Sequence, residues 1–274
     1  MNSLDLLHAT AAFVAAFLAG TINAIAGGGT LVTFPILLWL GLDSKVANAT
    51  STVALYPGLF GGLWGYRRDV RGAGNTPARL GAISLVGGAV GAWLLIKTPT
   101  NLFDALIPFL ILFATLLFMA QEYITRFIRK GDAIPVNEAA IQGEAIPKPR
   151  SAWLTTVGTC VQFCSAIYGG YFGAGNGILM LTLLSFLGFR DIHQANGIKN
   201  FLAICLNTVA VVLFSISGMV RWQEALIMAT GAIAGGYFGA RTAQRFGKRF
   251  VRRAVVGIGL TITFVMLWRL RHQV

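Results

Sequence analysis

Ala26-Gly27-Gly28-Gly29-Thr30 leads into Leu31-Val32-Thr33-Phe34-Pro35-Ile36-Leu37-Leu38-Trp39-Leu40-Gly41-Leu42-Asp43. The arrangement returns in the second half of the chain. There Gly173-Ala174-Gly175-Asn176-Gly177 leads into Ile178–Phe189, which ends in Leu187-Gly188-Phe189-Arg190. In both places a glycine cluster opens a short apolar run, and Leu-Gly-x-charged closes it. A helix of this length reaches about 18 Å, well short of the ~30 Å hydrocarbon layer of a bilayer. Both runs therefore read as half-helices, or short tilted spans, set behind a break.

The sequence around these runs places them in a membrane. The chain has 274 residues, 55% hydrophobic and only 12% charged, against about 25% charged in a typical soluble domain. A mean hydropathy of +0.69 excludes disorder, and three cysteines exclude a disulfide scaffold. None of the ten acids lies in the middle of a long apolar stretch, and of the 22 bases only Lys199 comes near to doing so. A charge at the bilayer centre costs at least ~3 kcal/mol, so charge-free runs mark the spans. Besides the two short ones, the runs are Leu7–Ala26, Val46–Tyr66, Ala78–Ile96, Leu102–Gln121, Ala152–Phe172, Gly197–Val220, Ala225–Ala240 and Ala254–Leu267. No base precedes the first run, and it recurs internally as Ala152–Gly170, so it reads as a retained span, not a cleaved leader. The expected fold is an all-α integral membrane protein with about 8–10 membrane helices.

The correspondence between halves extends beyond the glycine clusters. Ala47-Asn48-Ala49-Thr50-Ser51-Thr52 matches Ala195-Asn196-Gly197-Ile198-Lys199-Asn200. Gly87-x3-Gly91 matches Gly231-x3-Gly235-x3-Gly239. Residues 1–121 and 151–274 thus read as two transmembrane repeats joined by a linker, 122–150, with Pro135, Pro147 and Pro149. Arg67, Arg68, Arg71 and Arg79 crowd one loop; Arg241, Arg245, Lys248, Arg249, Arg252 and Arg253 crowd another. The positive-inside rule puts loops 67–79 and 241–253 in the cytoplasm, with the linker, and both chain termini on the far side. In the repeat register their partners are the sparse turns Gly218–Glu224 and Lys97–Asp104. Each basic loop therefore matches a loop on the other side, as inverted-topology repeats require. Basic loops of this kind meet membrane lipids; a pI near 10.3 does not indicate nucleic acid when the bases flank spans.

A helix broken inside a membrane exposes backbone N–H and C=O groups, tolerable where they line a cavity or are buried in protein. The N-terminus of a half-helix attracts anions, and Thr30 and Asn176 stand where they could cap one. Asn48, Thr50, Ser51 and Thr52 offer uncharged polar groups at one long helix start. At the other, Asn196, Lys199 and Asn200 share a helix face. Lys199 has no acid nearby in sequence, which points to an anionic ligand or a wet cavity. The candidate substrate site comprises Asn23, Gly27, Gly28, Gly29 and Thr30; Asn48, Thr50 and Ser51; Gly173, Gly175, Asn176 and Gly177; and Asn196, Lys199 and Asn200. Gly61-x3-Gly65 and the other spaced glycines read as helix-contact faces, and Cys160, Cys164 and Cys205 as small core residues. His8, His193 and His272 form no ligand pattern, and no phosphate loop, carboxylate pair or Ser/His pair sits in the spans. The chain reads as a protein without cofactor or metal, and not an enzyme.

The stretch Ala19-Gly20-x-Ile22-Asn23-x-Ile25-Ala26-Gly27-Gly28-Gly29-x-Leu31, with Phe34-Pro35 and Ala47-Asn48-Ala49-Thr50-Ser51, resembles the TauE/SafE sulfite exporter family. Phe172-Gly173-x-Gly175 and Gly235-x3-Gly239-Ala240-Arg241 share the resemblance. It implies a bacterial inner-membrane permease with two homologous halves that moves sulfite or organosulfonates. The expected function is a secondary transporter that exports a small anion by alternating access. The alternatives are a channel with paired re-entrant half-helices, which lacks the Asn-Pro-Ala of aquaporin-like breaks, and a lipid-handling or chaperone protein. No carboxylate lies deep in a span to relay protons.

Overall fold

A computed structural model of the chain describes residues 3–25, 27–70, 73–130, 152–189, 191–242 and 248–272. Among them every regular element is a helix: α1 Ser3–Ile25, α2 Thr30–Trp39, α3 Ser44–Gly65, α4 Arg67–Val70, α5 Thr76–Lys97, α6 Thr100–Lys130, α7 Ala152–Tyr171, α8 Asn176–Phe186, α9 Ile192–Ile216, α10 Trp222–Thr242 and α11 Lys248–His272. Each apolar run centres on one of these helices. The single turn α4, inside the first basic loop, is too short and too charged for hydropathy to mark. α6 continues through Lys130 into the segment read as linker. The rest of that linker, Arg71 and Arg245 lie outside the described residues.

The protein is an all-α membrane protein. α1, α5, α6 and α9 are long and apolar enough to cross a bilayer, and α2 and α8 are short apolar helices. Trp93, Phe109, Leu226 and Phe264 are each more than half exposed on α5, α6, α10 and α11. Such side chains are favourable against lipid and unfavourable against water. Cys160 and Cys164 are exposed on α7 and Cys205 is half-buried, so the cysteines are not the core residues expected. In lipid a small apolar side chain gains nothing from facing inward, so apolarity does not distinguish core from surface.

The repeated Leu-Gly endings have a shared backbone cause. Gly41 and Gly188 take φ of +84° and +83°. At the end of α2, Leu42 N–H donates to the Leu37 carbonyl and Gly41 N–H to Leu38, at 3.1 and 3.0 Å. At the end of α8, Phe189 donates to Leu184 and Gly188 to Ser185, at 3.0 and 2.9 Å. Both are Schellman terminations, which glycine enters without the Cβ penalty.

Helix pairing follows the same correspondence. α1 packs along α10 and α7 along α5; α3 packs on α10 and α9 on α5; α3 meets α9 and α6 meets α11. Glycines make the closest approaches. A Cβ on Gly231 or Gly235 would strike the carbonyls of Phe13 and Phe17 in α1; one on Gly87 or Gly91 would strike those of Phe163 and Ile167 in α7. Gly61 and Gly65 behave differently: nothing lies within 4 Å of a Cβ there, so they form no contact face.

Candidate functional site

The two glycine breaks touch. A Cβ placed on Gly27 would sit 2.8 Å from Gly177 Cα. The breaks are built alike: Gly27 and Gly173 have φ of +76° and +77°. Each donates its N–H to the carbonyl five residues back, Ile22 at 3.3 Å and Tyr168 at 3.1 Å. Gly28 lies under the ring of Phe118 from α6, and Gly29 against the Ala19 carbonyl. Gly175 takes φ +73° at the start of α8, against Ala114 of α6.

The capping expected of Thr30 and Asn176 does not occur. Gly29 and Gly175 occupy the cap positions and neither helix start has a side-chain cap. Thr30 and Asn176 are already the first helical residues, one position too late to cap. Asn23 takes over at the first break, its Oδ1 accepting the Gly29 N–H at 2.8 Å. At the second, Ser165 donates to Asn176 Oδ1 at 2.6 Å and the Tyr168 hydroxyl to the Ala174 carbonyl at 2.6 Å.

The breaks, α3 and α9 enclose a cavity of about 70 Å³. One water needs roughly 10–15 Å³ on this measure, so the space suits a solute of a few heavy atoms. Asn23, Gly27 and Thr30 line it from the first break; Gly173, Asn176 and Gly177 from the second; Lys199 and Asn200 from α9. Lys199 is 2% exposed. Its Nζ donates to the Asn23 carbonyl at 3.4 Å, and no carboxylate among the described residues pairs with it. That carbonyl belongs to the last turn of α1, where the helix presents partial negative charge. The Asn200 Nδ2 is buried without an acceptor and packs against Gly62 of α3.

The remaining candidates lie outside the cavity wall. Asn48 donates from Nδ2 to the Tyr171 carbonyl at 2.9 Å. Thr50 accepts the Arg221 N–H at 3.1 Å, and Ser51 shares a hydrogen bond with Thr33 of α2. Asn196 is buried one turn before Lys199. The polar start of α3 is thus spent on holding α3 to its neighbours. Sequence reasoning missed Tyr56 and Asn207 and left Thr52 out of the site; all three line the cavity with Leu55, Phe172 and Met180. The available signal was helical spacing: Tyr56 is one turn beyond Thr52, and Asn207 two turns beyond Lys199.

A model of the family described as Sulfite exporter TauE/SafE matches residues 12–266. The chain belongs to this family. It is 28% identical over 258 residues to a "Probable membrane transporter protein" of Haemophilus influenzae, covering 93% of each chain. It is 29% identical over 261 residues to "Probable membrane transporter protein ORF9" of Sinorhizobium sp, covering 93% of this chain and 90% of the relative. It is 25% identical over 258 residues to "Probable membrane transporter protein YfcA" of Escherichia coli K12, covering 93% and 88%. No solved structure matches. As a TauE/SafE member the protein is a membrane transporter and not an enzyme.

Proposed function

We propose that the protein is a secondary transporter that exports a small anion, of the sulfite or organosulfonate class, across the bacterial inner membrane by alternating access. The observation that carries this reading is Lys199: a buried cation that no acid among the described residues pairs, on the wall of a solute-sized cavity where the two breaks meet. An ammonium at that depth is retained where an anion or water neutralises it. The matched helix pairings of the two halves support an inverted duplication, and in such transporters substrate binds where broken helices meet. The substrate site on this reading is the breaks with Lys199 and Asn200, with Asn48, Thr50, Ser51 and Asn196 supporting it.

The test is counterflow in proteoliposomes loaded with sulfite or a short sulfonate. Saturable uptake driven by internal substrate is expected. Lys199→Gln is expected to lower it about 30-fold or more, since losing one partner of a buried charge contact costs ~2–5 kcal/mol. Unsaturable flux far above carrier turnover would replace the carrier reading with a channel. Unchanged flux in Lys199→Gln would remove the lysine from the site.

A further inference from the structure

Resting on the anion-transport reading, we infer that the site accepts one negative charge only, on hydrogensulfite or an oxyanion with room for a small apolar substituent, and that Lys199 sets this limit. Among the described residues Lys199 is the one charged side chain on the cavity wall. The matched position in the first half is Ser51, an uncharged residue turned to Thr33. The charge is therefore single by sequence. In a water-poor interior an uncompensated charge is heavily penalised. A monoanion opposite Lys199 leaves none. A dianion leaves one, and a neutral solute leaves the lysine unpaired.

The hydrogen bonding of the wall points the same way. Thr52 and Asn207 donate to carbonyls of their own helices, Asn48 and Ala203, at 2.9 and 2.8 Å. The Oδ1 atoms of Asn23 and Asn176 are already acceptors for Gly29 and Ser165. Two donors on this wall are free to meet an anion: the Lys199 ammonium, with one contact at 3.4 Å, and the Asn200 Nδ2, with none. The terminal torsion of an asparagine is soft, so rotation presents that donor to a ligand. A ligand that satisfies both carries acceptor oxygens at one end. Leu55, Leu59, Phe172, Met180 and Leu206 line the remainder and suit an apolar group at the other end. The occupied site is neutral and the empty one carries one positive charge, so each turnover moves one net charge.

Three sulfur compounds of similar size and rising charge test this: dimethyl sulfone, methanesulfonate and sulfate. Their binding to the purified full chain in nanodiscs is ranked by thermal shift, and their counterflow in proteoliposomes. Wild type is expected to prefer methanesulfonate over both others by about tenfold or more, as burying one unpaired charge implies. Lys199→Arg keeps that order; Lys199→Gln loses the preference for methanesulfonate over dimethyl sulfone. Sulfate bound as well as methanesulfonate overturns the charge limit and leaves the anion reading standing. Preference for dimethyl sulfone, or binding of neither anion, overturns both. A preference unchanged in Lys199→Gln overturns the assignment to Lys199. The wild-type ranking stands as a test even where a variant fails to fold.

Discussion

Gly27 and Gly41 share a backbone conformation and differ in surroundings, which separates two reasons for glycine. Both have positive φ, but a Cβ on Gly41 meets nothing within 4 Å, whereas one on Gly27 runs into Gly177. Gly41→Ala should carry only the left-handed penalty of about 1–2 kcal/mol. That lowers the melting temperature in detergent by several degrees and leaves counterflow intact. Gly27→Ala adds a backbone collision and should part the two breaks, with a larger thermal loss and lost counterflow. Equal effects would mean that the contact between breaks does not matter. The breaks and Lys199 were legible in sequence because they violate what a membrane helix ordinarily tolerates. Asn48, Thr50 and Ser51 are equally polar, yet they face away from the cavity. Their partners, Tyr171, Arg221 and Thr33, are set by tertiary packing, and nothing local in sequence separates a polar group spent on packing from one facing a ligand.

At the scale of helices, spaced glycines are only half an argument. Gly231-x3-Gly235 and Gly87-x3-Gly91 each let a neighbour's carbonyls approach, whereas Gly61-x3-Gly65 of the same spacing faces open space. The motif states that close approach is possible; the opposing helix decides whether it happens. Substitution at matched spacing tests this. Gly235→Val drives a branched side chain into the Phe17 carbonyl and should separate α1 from α10, losing more than the ~1–3 kcal/mol of ordinary overpacking. Gly61→Val should change stability little. The readout is the fraction of monodisperse protein after heating in detergent; equal survival of the two variants would refute the contact. The helices themselves were legible, because apolar runs bounded by charge leave few other options in a bilayer. Their partners were not, apart from what the repeat implied.

For the molecule as a whole, the two halves pair element by element, but pairing does not fix which way the chain enters the membrane. Charge does. Arg67, Arg68, Arg71 and Arg79 stand against the sparse Gly218–Glu224 turn, and on the inverted reading these two loops face opposite sides. Asn75, in the first loop, and Ser217, at the edge of the second, are exposed residues. The test begins from a background in which Cys160, Cys164 and Cys205 are replaced by alanine. Asn75→Cys and Ser217→Cys are then introduced singly and exposed to a membrane-impermeant maleimide. Ser217→Cys should be labelled in intact cells, and Asn75→Cys only after the membrane is opened. Labelling of both from the same side would rule out inversion and leave two parallel repeats. The reverse pattern would keep the inversion and turn the whole protein over. An inside-negative potential contributes ~2.3 kcal/mol per charge per 100 mV and drives monoanions outward whichever way the protein is inserted. Orientation decides instead which face of the protein first receives the substrate.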